Sequence, residues 1–159
     1  MQLDEILGEV ATLQKQRYDD YVTVNGLRIR YTVMGDGPAV LMLHCFGGFL
    51  ETWAYNVPPL SRRFRVYAVD LPGHGLSDKP RIDYTTDFAT ECAAALLRTF
   101  GIEQVSLIGH SMGGAVAINI ALEMPDIVNK LVLVDSAGLT AQLPLAYRVT
   151  SRPLAGEMA

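Results

Sequence analysis

Gly109-His110-Ser111-Met112-Gly113 place a serine between two glycines at G-x-S-x-G spacing. The chemistry such a serine can do is acyl transfer: its hydroxyl attacks a carbonyl once a base has taken its proton. Val105-Ser106-Leu107-Ile108 before it is a short apolar run that reads as a buried strand, and Gly114-Ala115-Val116-Ala117-Ile118 after it opens a helical pattern. A serine on a tight strand-to-helix turn has its hydroxyl forced out above the sheet edge. Gly109 and Gly113 are expected there because a Cβ would collide with neighbouring backbone. The free N–H groups and positive dipole end of the following helix would face charge developing beside Ser111. A glycine-rich turn without chemistry is the plainer alternative, and the strand–turn–helix context weighs against it.

The other groups able to take part are few. Histidines stand at 44, 74 and 110, and cysteines at 45 and 92. Cys45 and Cys92 fall in different predicted elements with no metal or redox spacing, so a reducing cytoplasm is the expected compartment. No base or cation adjoins Cys45 in sequence, and buried packing is the expected role of its thiol. A net charge of -4 and a pI near 5.3 argue against nucleic acid and an anionic membrane surface as partners. No apolar run reaches the length of a membrane span. Met1-Gln2-Leu3-Asp4-Glu5 is acidic where a signal peptide is basic. The 159 residues are half hydrophobic and 19% charged, which suits one soluble domain with a real core.

The elements that must position Ser111 follow from periodicity. Leu3, Ile6, Leu7, Val10 and Leu13 predict an amphipathic helix over about 3–16. Tyr21–Val24 and Leu27–Tyr31 flank Asn25-Gly26, a strong hairpin signal. Gly35-Asp36-Gly37-Pro38 is a turn; it lies between strands and opens no helix, so it is not a dinucleotide loop. Ala39–Leu43, Phe64–Val69, the run before Gly109 and Lys130–Val134 are apolar strands of the kind covered on both faces. Helical patterns near 52–60, 85–100 and 113–123 separate them. The alternation predicts an α/β fold: a mostly parallel sheet with an N-terminal antiparallel hairpin and flanking helices. Beyond Gly138 the pattern loosens, and Pro144 and Pro153 interrupt it.

Three motifs stand in order, each after a predicted parallel strand: His44-Cys45-Phe46-Gly47-Gly48, Asp70-Leu71-Pro72-Gly73-His74-Gly75-Leu76-Ser77 and Gly109-His110-Ser111-Met112-Gly113-Gly114. Over about residues 20–138 the chain resembles the α/β-hydrolase fold family, in the branch of small esterases, lactonases, C–C bond hydrolases and cofactor-free haloperoxidases. The resemblance implies Ser111 as nucleophile and the backbone N–H groups of Phe46 and Met112 as the oxyanion hole. It implies that His44 ties the oxyanion loop down and that the Asp70–Ser77 turn, with His74, packs beneath the site. Relatives that open epoxides or displace halide carry aspartate where Ser111 stands, which disfavours both activities here.

Cys45 and the histidines depart from the family's pattern. Cys45 occupies a position where glycine is common in the family, and its Cβ could shift the loop that presents Phe46. No histidine follows His110, whereas the family's order is serine, acid, histidine. His110 adjoins the nucleophile, but the sharp turn should aim its ring elsewhere. Asp135, at the end of the last predicted strand, is either the triad acid or a strand-end cap. The resemblance thus implies an incomplete α/β-hydrolase fold: an N-terminal helix at 1–17, the N-terminal part of the core at 18–138 and the start of a cap or lid at 139–159.

The expected function is a serine hydrolase that cleaves a small-molecule carboxylic ester, lactone or activated C–C bond through an acyl-enzyme, with the histidine supplied from beyond residue 159. No cofactor and no metal is implied. The alternatives are a non-catalytic binding module derived from the fold and a cofactor-free perhydrolase. Apart from substrate, the expected partner is a second copy or a C-terminal half, joined through the exposed edge of Leu131-Val132-Leu133-Val134.

Overall fold

Asn25 and Gly26 have φ of 51° and 80°, as a two-residue hairpin turn requires. They join β1 (Asp20–Val24) to β2 (Leu27–Met34) in an antiparallel pair with Val24 opposite Leu27. The computed structural model describes residues 20–139. The helix expected near 3–16, and all but the first residue of the expected cap region, lie outside the described residues.

Four parallel strands follow: β3 (Ala39–Leu43), β4 (Arg65–Val69), β5 (Val105–His110) and β6 (Val128–Val134). The sheet order is β1-β2-β4-β3-β5-β6, with β2 antiparallel to β4. The expected α/β class and edge hairpin are therefore observed.

The helical segment expected over about 52–60 is two pieces. A 3-10 turn spans Leu50–Trp53, and the short helix α1 spans Val57–Ser61 with proline in its first turn. Pro58 and Pro59 have no N–H to continue a helix from upstream but fit the start of a new one. Helix α2 (Thr86–Thr99) begins where Thr85 Oγ1 accepts the Phe88 N–H at 3.1 Å. It ends at Gly101, φ 65°, where the Gly101 and Ile102 N–H groups donate to the Arg98 and Leu97 carbonyls at 3.1 and 3.0 Å, a Schellman closure. Helix α3 (Met112–Glu123) follows β5 directly.

Side-chain alternation explains the unbroken apolar runs. Leu41, Leu43, Tyr67 and Val69 join the core that includes Leu96, Leu97, Val116 and Ile120 of α2 and α3. Their neighbours Val40, Met42, Val66 and Ala68 face the other way, onto Leu50, Trp53 and Val57. Strands covered on both faces need no polar alternation. Coverage fails at β6, where Leu131, Val132 and Val134 are exposed. None of the described helices is long and apolar enough to cross a membrane.

Candidate active site

Ser111 sits between β5 and α3 with φ 50° and ψ -111°, a conformation that a residue with a side chain adopts only when its surroundings impose it. Those surroundings are visible. A Cβ on Gly109 would lie 2.3 Å from the Gly113 carbonyl oxygen, and one on Gly113 would lie 2.2 Å from that of Leu43. The expectation that both glycines are steric requirements is met. Ser111 is half-buried, and its hydroxyl makes no helix-capping bond.

The Ser111 carbonyl accepts the N–H groups of Gly114 and Ala115 at 2.9 and 3.2 Å. The N–H of Met112, the first residue of α3, has no acceptor four residues back within the helix. It stands at the positive end of the helix dipole.

The segment after β3 supplies the opposite wall. Gly48 N–H donates to the Cys45 carbonyl at 3.0 Å, and Gly47 has φ 69°, so Phe46 occupies the second position of a tight turn. His44 is fully buried beneath it. The Leu71 N–H donates to His44 Nε2 at 2.9 Å, while His44 Nδ1 lies 2.8 Å from the Cys45 carbonyl. A ring nitrogen facing an N–H must accept and one facing a carbonyl must donate, which assigns the neutral tautomer with its proton on Nδ1. Burial is the main cause that lowers the His44 pKa, to about 4, and the neighbouring His74 pushes the same way.

The His74 ring lies 5.0 Å from that of His44, tilted by 53°, with the Phe46 ring edge-on to it at 5.8 Å, and its Nδ1 lies 3.1 Å from the Pro72 carbonyl. Burial lowers its pKa as well. Cys45 is half-buried, not packed in the core as expected. The reason is the turn itself, which lifts residues 45–47 off the end of β3.

Asp135 follows β6 and is exposed, with φ 43°. Its neighbours bracket the nucleophile: Ser111 N–H donates to the Val134 carbonyl, and Ala137 N–H donates to the Ser111 carbonyl, both at 3.0 Å. A Cβ on Gly114 would lie 2.3 Å from Ser136 Oγ, so this loop is pressed onto the start of α3. The Asp135 carboxylate caps no strand end among the described residues. The structure thus gathers Ser111, Met112, Gly109, Gly113, the Phe46 turn and the Asp135 loop at the C-terminal ends of β3, β5 and β6. Both nitrogens of His44 are already engaged, and Ser111 Oγ meets no histidine among the described residues.

Sequence reasoning passed over Asp70. This carboxylate is fully buried at the end of β4, where Oδ1 accepts the Leu50 N–H at 2.6 Å and Oδ2 accepts the Leu76 N–H at 2.8 Å. Arg30 Nη1 lies 3.2 Å from Oδ2, and the same guanidinium reaches Glu51. The signal was a lone carboxylate directly after the buried run Val66-Tyr67-Ala68-Val69, with glycines at 73 and 75. A charge in that position must be paired.

A model of the alpha/beta hydrolase fold family matches residues 38–152. The chain is 40% identical over 135 residues to an uncharacterized protein of Mycobacterium tuberculosis, covering 85% of this chain and 40% of that one. It is 34% identical to a 2-hydroxy-6-oxo-6-(2'-aminophenyl)hexa-2,4-dienoic acid hydrolase of Metapseudomonas resinovorans, covering 77% and 44%. It is 36% identical to a fluoroacetate dehalogenase of a Burkholderia species, covering 72% and 39%. Among solved structures, a bacterial membrane phospholipase A superposes with a TM-score of 0.77 at 30% identity, over 89% of this chain and 49% of that one. The chain spans about 40% of the length of these curated relatives.

Proposed function

Because the chain belongs to the alpha/beta hydrolase fold family, we propose that it carries the nucleophile half of a serine hydrolase. The substrate class is a small-molecule carboxylic ester, lactone or activated C–C bond. The observation that carries this reading is the strained Ser111 backbone, φ 50°, locked between two glycines that admit no Cβ. Strain of this kind persists where the fold over-determines it, and here its effect is to present a hydroxyl.

Ser111 Oγ attacks the carbonyl carbon while a histidine takes its proton. The carbonyl oxygen becomes an oxyanion held by the N–H groups of Met112 and Phe46. Collapse expels the leaving group, protonated by the same histidine, and leaves an acyl-enzyme. Water, deprotonated by the histidine, then releases the acid and returns Ser111. In this reading the histidine comes from outside these 159 residues: His44 already uses both nitrogens, and Ser111 Oγ meets neither His74 nor His110. In this reading Asp135, on the loop that brackets Ser111, is the candidate acid that orients that histidine. A dehalogenase or epoxide hydrolase of this fold needs a carboxylate nucleophile, and the residue here is serine.

A fluorophosphonate probe tests the assignment in the protein that supplies the histidine. Ser111 should be labelled, and Ser111→Ala should abolish labelling; persistent labelling in the alanine variant overturns it. The 159-residue chain alone should label slowly or not at all, since loss of the base leaves only a small residue of rate.

A further inference from the structure

Resting on that function, we infer that Asp70 is a positioning residue for the oxyanion hole, through a clamp that the Asp70–Leu71 step closes on the loop presenting Phe46. The loop from His44 to Leu50 is held at its two ends by adjacent residues of one strand terminus. At its start, Leu71 N–H donates to His44 Nε2 at 2.9 Å. At its end, Leu50 N–H donates to Asp70 Oδ1 at 2.6 Å. Phe46 lies between these two points, so the direction of its N–H depends on both.

The clamp is itself fixed on every side. Asp70 Oδ2 accepts the Leu76 N–H at 2.8 Å and faces Arg30 Nη1 at 3.2 Å. Its backbone N–H donates to the Arg30 carbonyl at 2.9 Å. Its carbonyl accepts Ser77 Oγ at 2.6 Å, and that hydroxyl accepts the Arg30 N–H at 2.8 Å. Gly75, φ 50°, passes so close that a Cβ would fall 2.0 Å from Oδ2. A buried carboxylate with this many donors cannot turn without leaving one of them unpaired. Arg30 carries the constraint across to β2, so the antiparallel edge of the sheet braces the loop opposite Ser111.

Leu50→Pro removes the N–H arm of the clamp, and Leu50→Ala, which keeps that N–H, controls for the buried leucine side chain: it should leave kcat per titrated site well above that of Leu50→Pro. Leu50 is the first residue of its 3-10 turn, a position that suits proline, and Phe49 before it is extended with φ -157° and ψ 173°, the conformation proline requires of its predecessor. The substitution therefore removes the N–H that Asp70 holds and little else of the backbone. Asp70→Asn is the third variant: it keeps an acceptor for Leu50 and loses the charge that Arg30 faces.

The variants are made in the complete enzyme, and turnover of an activated aryl ester is measured per fluorophosphonate-titrated site. Leu50→Pro should lower kcat about ten- to hundredfold with KM within about threefold, because the donor is displaced but not deleted. Asp70→Asn should be milder. Hydrogen exchange of the Gly48 amide, which closes the loop's turn on the Cys45 carbonyl at 3.0 Å, should speed up at least about tenfold in Leu50→Pro while the α2 amides stay protected. Unchanged kcat per titrated site in a folded Leu50→Pro protein overturns the inference. If wild-type Ser111 takes no probe, the serine-hydrolase reading fails. Gly48 exchange then decides the clamp alone: faster exchange upholds it, and unchanged exchange overturns it.

Discussion

A methyl group added to Gly113 would sit 2.2 Å from the carbonyl oxygen of Leu43, which closes β3 in the middle of the sheet. Leu43 cannot move without disturbing its pairing with Val69 and Gly109, and Gly113 cannot move without shifting the start of α3. Gly113→Ala should therefore destabilise the fold by on the order of 3 kcal/mol or more, measured by urea denaturation. A loss under about 1 kcal/mol would mean the elbow is looser than described. Cys45 poses the opposite case: its thiol is half-buried, and its carbonyl makes the contacts with Gly48 and His44. Cys45→Gly should leave activity of the complete enzyme within about tenfold, against the hundredfold or more for a lost oxyanion donor. Abolished turnover would give the thiol a role.

His44 adds a pH dependence. Its pKa is about 4 in the fold, against 6.5 for a free histidine, chiefly because burial penalises the charged ring. The unfolded chain therefore takes up the proton first as pH falls. The stabilisation is complete above pH 6.5 and is lost as pH drops towards 4, by on the order of 3 kcal/mol. Burial of His74 acts in the same direction. Denaturation midpoints at pH 7 and 4.5 should differ accordingly, and the His44 ring protons should show no titration above pH 5. A midpoint independent of pH over that range would contradict burial of a neutral His44 ring.

At the scale of elements, α2 shows how local chemistry delivers a face to the core. Thr85 caps its start and Gly101, at φ 65°, closes its end, so a buried side that includes Ala89, Ala93, Leu96 and Leu97 is held in register with the sheet. A Cβ on Gly101 would meet nothing within 4 Å. Gly101→Ala therefore suffers only the left-handed backbone penalty, about 1 kcal/mol. Chemical denaturation checks this, and activity in the complete enzyme should not change. A loss several times larger would point to a packing role at the turn.

For the whole molecule, the decisive feature is uneven coverage. The Leu50–Trp53 turn and α1 cover one face over β3 and β4. On that same face Ile108 is only half-buried, and its partner Val132 is 46% exposed, as is Val134 at 40%. Among the described residues β6 is the last strand of the sheet and offers both an unpaired edge and an apolar surface, which together recruit another strand or aggregate. We expect the 159-residue chain at micromolar concentration to self-associate or to pair with a segment that completes the sheet. Sedimentation of the wild type against Val132→Lys tests this, and the charged variant should shift towards monomer. A monodisperse wild-type monomer with cooperative unfolding would oppose it.

The sequence by itself determined the parts whose signals are local. Strand and helix order, the Asn25-Gly26 hairpin, the Ser111 elbow and the need for Gly109 and Gly113 all follow from periodicity and from backbone sterics. Each depends on residues within a few positions of one another. Only the tertiary structure decided the rest. It left Cys45 half-exposed, bracketed Ser111 with the loop that carries Asp135, and turned Asp70 into the point where Leu50, Leu76 and Arg30 converge. Apart from the nearby Leu76 N–H, those contacts join residues 20 to 40 positions apart. No local pattern encodes them, because which donor meets a buried carboxylate depends on strand order, and strand order is set by how the whole sheet packs.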